Sequence, residues 1–275
     1  MELIQGDCLI ELKKIKDKSI DFVYLDLPYG QTGCAWDVKI DHHALWVELK
    51  RIAKTDRTPF FFSCTTKFGF ELYNTAPKGW FRWDLVWEKN RAAGFLNAYK
   101  LPMRKHEMVY CFAKKTPEYD VSSHSEYIEQ GEYIRNKGLY GKKNKKHKCK
   151  SHKDPLPTSV LDINGSSEVY NINKTGKRNQ GKKDQPPLPT SVLDIPSSWC
   201  KFKLDEKVNH RTAKPIKLME FLLKYWSKEG DTILDPTAGS GSMGIACKNM
   251  NRKFIGIEKD PEIFKIMEDR INNNI

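Results

Sequence analysis

Short apolar runs bounded by turn residues alternate along the chain with segments in which apolar residues recur every three or four positions. The short runs predict buried strands, and the longer spacing predicts amphipathic helices. Because strand and helix alternate, we expect an α/β fold with a doubly wound, mostly parallel sheet covered on both faces. The predicted strands are Ile20–Asp26, Pro59–Ser63, Trp83–Trp87, Met108–Phe112, Thr232–Asp235 and Lys253–Glu258. The predicted helices are Cys8–Ile15, His42–Ala53, Pro215–Trp226, Met243–Asn249 and Pro261–Ile271.

The alternation is interrupted across residues 118–203, where Gly, Asn, Ser, Pro and Lys dominate. We interpret this stretch as an insertion between two halves of one domain, residues 1–117 and 204–275. The nine-residue sequence Pro-Leu-Pro-Thr-Ser-Val-Leu-Asp-Ile occurs at 155–163 and again at 187–195, which indicates a tandem duplication. Two copies are too few for a solenoid, which needs about three repeats. We expect the second copy to dock on the core and the first to be carried as a loop.

The basic charge of the chain is concentrated in the insertion. The whole sequence has a formal net charge of +12, and residues 135–183 contribute +11 of it, with 14 Lys or Arg against three acidic residues. Such a patch neutralises phosphates, so it favours a polyanion-binding segment over a merely solvated loop. The candidate DNA-binding residues are Lys142, Lys143, Lys145 and Lys146.

Cysteine usage and hydropathy narrow the class of protein further. The seven cysteines include no C-x-x-C pair, which is typical of reduced thiols in a cytoplasmic protein. His147, Cys149 and His152 lie close together, but no second ligand cluster follows at zinc-module spacing, so we expect no metal. No stretch approaches the ~18 to 20 apolar residues of a membrane span, and we expect no membrane association.

A strand, a glycine-rich turn and a helix are predicted in succession after Thr232. Gly239, Gly241 and Gly244 form a G-x-G-x-x-G pattern, and Glu258 ends the next predicted strand. This spacing fits a dinucleotide fingerprint, in which the glycines let the backbone approach the ligand and the carboxylate binds ribose hydroxyls. Asp235 adds a carboxylate at the strand end, which suits a ligand with an ammonium and a sulfonium better than a pyrophosphate.

A second candidate site follows the predicted strand that starts at Ile20. This strand ends in Asp26-Leu27-Pro28-Tyr29, which places a carboxylate where ligands bind in open parallel sheets. Because Leu27 precedes a proline, its backbone is extended and the direction of its carbonyl is constrained. Tyr29 offers an aromatic face beside the carboxylate. An ordinary strand-to-turn exit would also favour this sequence.

Together the two sites resemble the DNA methyltransferases that act on exocyclic amino groups, in the beta arrangement where the catalytic motif precedes the cofactor motif. Asp26–Gly30 is similar to the Asp-Leu-Pro-Tyr-Gly of phage-type adenine methyltransferases, and Asp235–Gly241 resembles the Asp-Pro-x-x-Gly-Ser-Gly cofactor loop. Three further segments also resemble family motifs, namely residues 3–8, 84–89 and 105–110. Residues 209–215 resemble the His-Pro-Thr-x-Lys-Pro segment that closes over the methionine end of the cofactor, with Arg211 in place of its proline. Leu27 replaces the common proline of the catalytic motif but retains the backbone carbonyl that the family uses.

The resemblance implies a Rossmann-like methyltransferase that transfers a methyl group from S-adenosylmethionine to N6 of an adenine flipped out of duplex DNA. In it, the Asp26 carboxylate and the Leu27 carbonyl accept the amino hydrogens, and Tyr29 stacks on the base. The insertion is then the target-recognition region, and a homodimer and a cognate restriction endonuclease are compatible further partners. The implied catalytic residues are Asp26, Leu27, Pro28 and Tyr29. The implied cofactor-binding residues are Asp7, Thr212, Lys214, Asp235, Pro236, Gly239, Ser240, Gly241 and Glu258.

Other functions remain open at this level. An N4-cytosine, RNA or protein methyltransferase would keep the same active site. A nicotinamide enzyme predicts a substrate domain with acid and base groups, whereas this chain carries a lysine-rich insertion. A non-catalytic DNA-binding module would explain the insertion but leaves the paired motifs without a cause.

Overall fold

The computed structural model describes residues 1–31, 37–94, 98–120, 127–134, 146–152, 160–161 and 213–273. The helices are α1 (Cys8–Glu11), α2 (His42–Ile52), α3 (Thr66–Thr75), α4 (Ile216–Trp226), α5 (Ser242–Asn249) and α6 (Pro261–Asn273). The strands are β1 (Glu2–Gln5), β2 (Phe22–Leu25), β3 (Phe60–Cys64), β4 (Phe81–Ala93), β5 (Arg104–Phe112), β6 (Tyr127–Ile134), β7 (Lys146–His152), β8 (Val160–Leu161), β9 (Thr232–Asp235) and β10 (Lys253–Glu258). In this part of the chain, no helix has the length and apolar character needed to cross a bilayer.

Eight strands form one sheet in the order β1-β10-β9-β2-β3-β5-β4-β8. Five neighbouring strands, β1, β10, β9, β2 and β3, run parallel to one another. This part of the sheet confirms the predicted doubly wound α/β fold. β5 runs antiparallel to both β3 and β4. The described residues between β4 and β5 contain no helix, and the two strands pair side by side, which an antiparallel pair allows with a short connection.

The two faces of the sheet bury separate apolar clusters. In β2, Phe22 and Tyr24 face one cluster while Val23 and Leu25 face the other, because successive side chains of a strand point to opposite sides. Helices α4, α5 and α6 pack on the first face, and α1, α2 and α3 pack on the second. The sheet is therefore covered on both sides, as the apolar pattern predicted.

Helix α3 and the strands β1, β6, β7 and β8 were not among the predicted elements. Helix α3 was not predicted, because its sequence contains Gly69 and Asn74, which are weak helix formers. A Cβ at Gly69 would lie 2.6 Å from the Tyr110 ring, so close packing against β5 requires the glycine. Within the insertion, β6 and β7 pair antiparallel in a separate two-stranded sheet, although neither has the apolar alternation typical of strands.

Candidate active site

A cavity of about 970 Å³ opens at the carboxyl ends of β2, β9 and β10. Parallel strands present their carboxyl ends at one edge of a sheet, where ligands bind in open α/β folds. The volume is that of a small-molecule site, typically ~300 to 1,000 Å³. The residues predicted from sequence that line it are Asp7, Asp26, Leu27, Pro28, Tyr29, Lys214, Asp235, Pro236, Gly239, Ser240 and Glu258. Two distant motifs therefore share one cavity.

Several predicted site residues do not appear among the lining residues. Gly241 follows the lining residues of the loop and has a positive φ of 81°. Thr212 lies outside the described residues, as do the side chains of the four candidate DNA-binding lysines. Of the two repeat copies, only the backbone of Val160–Leu161 in the first is described, and it forms β8, which pairs with β4 in the main sheet. The expectation that the first copy is carried as a loop is therefore wrong at these two residues, and the second copy lies outside the described residues.

Asp26 lies at the corner where β2 enters the cavity. Its backbone N–H donates to Thr237 Oγ1 at 3.3 Å, which ties the catalytic motif to the loop after β9. The Tyr29 hydroxyl donates to Asp26 Oδ1 at 3.1 Å, and the Tyr29 ring packs on Phe68 with centroids 4.8 Å apart. The Leu27 side chain is 2% exposed and belongs to the core, which accounts for leucine at a position where proline is common.

Asp37 fixes the exit of the same motif. Its two carboxylate oxygens accept the backbone N–H groups of Gly30 and Gln31 at 2.7 and 2.8 Å. Gly30 has a φ of +61°, a conformation that glycine adopts readily. Asp37 was not predicted as a site residue, because nothing in its sequence neighbourhood shows which backbone groups it caps.

A buried charge network continues from Asp26 into the hairpin of β4 and β5. Lys214 Nζ lies 2.5 Å from Asp26 Oδ2 and 3.7 Å from Glu107 Oε2, and Lys89 Nζ lies 2.9 Å from Glu107 Oε1. Burial lowers the pKa of Lys214, but the Asp26 and Glu107 carboxylates outweigh it and raise that pKa above its ordinary value. Burial raises the pKa of Glu107, but Lys214 and Lys89 outweigh it and hold that pKa below its ordinary value. Lys214 and Glu107 are therefore both charged at neutral pH.

The motifs did not predict this network. Lys214 was expected only in a segment closing over a cofactor, and the structure places its ammonium on the carboxylate of the catalytic motif. Lys89 and Glu107 lie in the segments 84–89 and 105–110 that resemble family motifs, but neither residue was assigned a role. The available signal was the presence of charged residues at the ends of two apolar strands, where ordinary surface charges are also common.

The carboxylate of Glu258 holds the glycine-rich loop that follows β9. Glu258 Oε2 accepts the Gly239 N–H at 2.9 Å, and Glu258 Oε1 accepts the Asp260 N–H at 2.9 Å. Gly239 has a φ of +53°, and a Cβ there would meet no atom within 4 Å, so the loop leaves open space at this point. Across the cavity, Asp7 caps α1 through Leu9 and lies 3.1 Å from Lys259.

Asp235 is a buried carboxylate at the end of β9, only 3% exposed. It accepts the Thr237 N–H at 3.1 Å, and no lysine or arginine side chain of the described residues forms an ion pair with it. Burial raises the pKa of Asp235 well above its ordinary value; the Thr237 N–H opposes this and the charge of Asp26 adds to it. Ser242 lines the same cavity, and its buried Oγ has no hydrogen-bond partner among these residues. The cavity thus offers a carboxylate without a cation and a hydroxyl without a partner.

Residues 20–269 match the model of a family described as DNA methylase. The chain belongs to the DNA methylase family. The resemblance inferred from the motif order is therefore confirmed at the level of the family. This DNA methylase is 26% identical to the DNA adenine methyltransferase YhdJ of Escherichia coli (strain K12) over 273 residues, covering 96% of this chain and 80% of the relative.

Higher identity is confined to shorter segments. This DNA methylase is 44% identical over 63 residues to the type II methyltransferase M2.LlaDCHI of Lactococcus lactis subsp. cremoris, and that alignment covers 23% of either protein, about a quarter of its length. Among solved structures, the cytosine-N4-specific PvuII DNA methyltransferase has a TM-score of 0.61 at 17% identity, covering 99% of this chain and 87% of that one. The complex of M1.HpyAVI with SAM has a TM-score of 0.55 at 17% identity, covering 98% of each chain. These structures share the fold.

Proposed function

We propose that this DNA methylase transfers a methyl group from S-adenosylmethionine to N6 of an adenine flipped out of duplex DNA at a specific site. The observation that carries the proposal is the shared cavity. Asp26 and Tyr29 of the catalytic motif line it together with Asp235, Gly239 and Glu258 of the cofactor loop. A base and a cofactor bound to these two sets of residues would lie next to each other.

The residues of the cavity fit S-adenosylmethionine. The ligand carries an ammonium and a sulfonium, and the buried Asp235 lacks a cation among the described residues. The carboxylate of the ligand matches Ser242 Oγ, which has no hydrogen-bond partner among the described residues. Ser242 is the first residue of α5, where backbone N–H groups favour anions. Glu258 ends β10 beside the open space at Gly239, where the family places ribose hydroxyls. When bound, S-adenosylmethionine supplies the electrophilic methyl group.

The chain's own residues orient the acceptor base. A base in a duplex cannot be reached at its amino group, so the base must leave the stack. The Tyr29 ring packs on Phe68 with one part of its surface and offers aromatic surface to the cavity. The Asp26 carboxylate and the Leu27 carbonyl then accept the two amino hydrogens, which directs the nitrogen lone pair toward the methyl donor. Positioning of this kind contributes much of the rate.

We propose that residues 118–203 are the target-recognition region between a catalytic half, 1–117, and a cofactor half, 204–275. The excess of +11 within residues 135–183 supports contact with DNA phosphates. Duplex DNA is the proposed partner, and we place the protein in the cytoplasm with that substrate. The type II relatives favour a cognate restriction endonuclease, and the family resemblance favours a homodimer.

The proposal names adenine, rather than cytosine, as the methylated base. The alignment over nearly the whole chain with an adenine methyltransferase favours adenine, whereas the PvuII structure makes N4 of cytosine the second candidate. The test is to incubate the protein with duplex DNA and isotopically labelled S-adenosylmethionine, and to identify methylated nucleosides by mass spectrometry. We expect N6-methyladenine. Detection of N4-methylcytosine instead would make cytosine the target base. Label found only in an RNA control would overturn the proposal.

A further inference from the structure

Both carboxylate oxygens of Asp26 already have partners. Oδ1 accepts the Tyr29 hydroxyl at 3.1 Å, and Oδ2 lies 2.5 Å from Lys214 Nζ. The proposed function requires the same carboxylate to accept a hydrogen from the amino group of the base. A carboxylate has spare lone pairs, but an ammonium at this distance makes the strongest kind of hydrogen bond and competes with a neutral amino group. The arrangement around Asp26 is therefore that of a site closed to the base.

Glu107 provides a second position for the same ammonium. Its Oε2 lies 3.7 Å from Lys214 Nζ, is buried, and has no hydrogen-bond partner among the described residues. Its Oε1 is held by Lys89 at 2.9 Å, so the carboxylate is fixed in place. A shift of the ammonium by about 1 Å would bring it within hydrogen-bond distance of Oε2. The lysine thus lies between one occupied acceptor and one buried acceptor that still lacks a partner.

We infer that Glu107 is a positioning residue that receives the Lys214 ammonium when the target base binds, which frees Asp26 Oδ2 for the amino group. Lys214 remains paired in both positions, so the movement leaves no buried ammonium without a counter-charge. This inference rests on the proposed function. It assigns to Glu107 a role in base binding that is separate from the chemistry at Asp26.

The location of Lys214 links this movement to DNA binding. It lies 11 positions in sequence after the end of the proposed insertion at residue 203, and the next residue, Pro215, is the N-cap of α4. A DNA contact made by the proposed target-recognition region would therefore act on this lysine through a short stretch of chain. Release of Asp26 would then accompany engagement of the substrate.

The main test is Glu107→Gln, which keeps the size of the side chain but removes the charge that attracts the ammonium. The matched control is Glu88→Gln, because Glu88 pairs with Lys105 on the same two strands but does not line the cavity. We expect Glu107→Gln to lower the single-turnover methylation rate on duplex DNA by at least about tenfold, the effect of losing one charged hydrogen bond. The fluorescence of 2-aminopurine placed next to the target adenine, which rises when the adenine leaves the stack, should also rise less in this variant. Cofactor affinity and the control variant should stay within about twofold of the parent, because neither change removes a contact to the cofactor and the control leaves the Lys214 network intact.

A double-mutant cycle separates this role from a structural one. In a Lys214→Met background there is no ammonium to move, so Glu107→Gln should cause no further loss. A wild-type rate in Glu107→Gln, or the same fold-loss in both backgrounds, would overturn the inference. If Glu107→Gln does not fold, Glu107→Asp keeps the charge but withdraws the acceptor, and the same cycle applies. If the parent protein methylates no DNA, the proposed function itself fails; if the parent is active and the variants match it, only this inference fails.

Discussion

Asp235 is almost completely buried and has no ion-pair partner among the described residues. The variant Asp235→Asn shows separately what this carboxylate does to protein stability and to ligand binding. The side chain is 3% exposed and accepts a backbone hydrogen bond from Thr237 at 3.1 Å, which asparagine can keep through its carbonyl oxygen. A buried ion costs several kcal/mol after relaxation. We therefore expect the variant without ligand to be more stable at neutral pH by at least ~1 kcal/mol, which raises Tm by about 2 to 4 °C.

The pH dependence of this difference has a definite sign. Because burial raises the pKa of Asp235, the folded chain holds the proton more tightly than the unfolded chain does. The stability linked to this group is therefore fully present at acid pH and is lost as pH rises from the unfolded value toward the raised folded value. Asparagine has no such proton, so the stability gained by the variant should grow from pH 4 to pH 8.

Ligand binding should change in the opposite direction. In the variant, the proposed pair between the Asp235 carboxylate and the cationic cofactor is lost, while asparagine can still accept a hydrogen bond. Such a loss costs ~2 to 3 kcal/mol of binding free energy, so the Kd for S-adenosylmethionine should rise roughly 30- to 150-fold. Thermal unfolding of the protein without ligand and isothermal titration calorimetry measure the two effects. A lower Tm together with an unchanged Kd would refute the reasoning and make Asp235 a structural carboxylate.

Four further predictions concern the catalytic motif and the insertion. Asp26→Ala should reduce methylation at least ~100-fold with little change in cofactor Kd, since positioned polar groups contribute ~10² to 10³; retention of more activity would contradict its role. Tyr29→Phe should be mild and Tyr29→Ala severe, because stacking is worth ~1 to 3 kcal/mol per base; equal losses would assign the function to the hydroxyl. Changing the four lysines between 142 and 146 to glutamine should flatten the slope of log DNA affinity against log salt by up to about 3 to 4, measured by fluorescence anisotropy, and an unchanged slope would make the run a solvated loop. Deletion of residues 155–186 removes the copy that forms β8 but leaves an identical second copy to replace it, so we expect a folded protein that binds cofactor, checked by circular dichroism and calorimetry; a chain that fails to fold would show that the second copy cannot take this place.

The sequence alone predicted the elements whose signals are local. Burial on both faces makes the strands of a parallel sheet nearly continuous apolar runs, and this signal located β2, β9 and β10. The glycine-rich loop and the Asp26–Tyr29 corner were identified because each requires particular residue types at adjacent positions. Motif order then sufficed for the family, since the chemistry of each motif is contained in a few consecutive residues.

The tertiary structure decided which charged side chains meet. Lys214 and Asp26 are 188 positions apart in the sequence, and their pairing depends on strand order and on the start of α4 rather than on any periodic pattern. Glu107 comes close to them because β5 turns back antiparallel beside β3 and carries its first residues to the cavity edge. A charged residue at a strand end has the same sequence signal whether it faces solvent or a buried partner. Only the packing of the elements distinguishes the two, because burial and distance determine the energy of an ion pair.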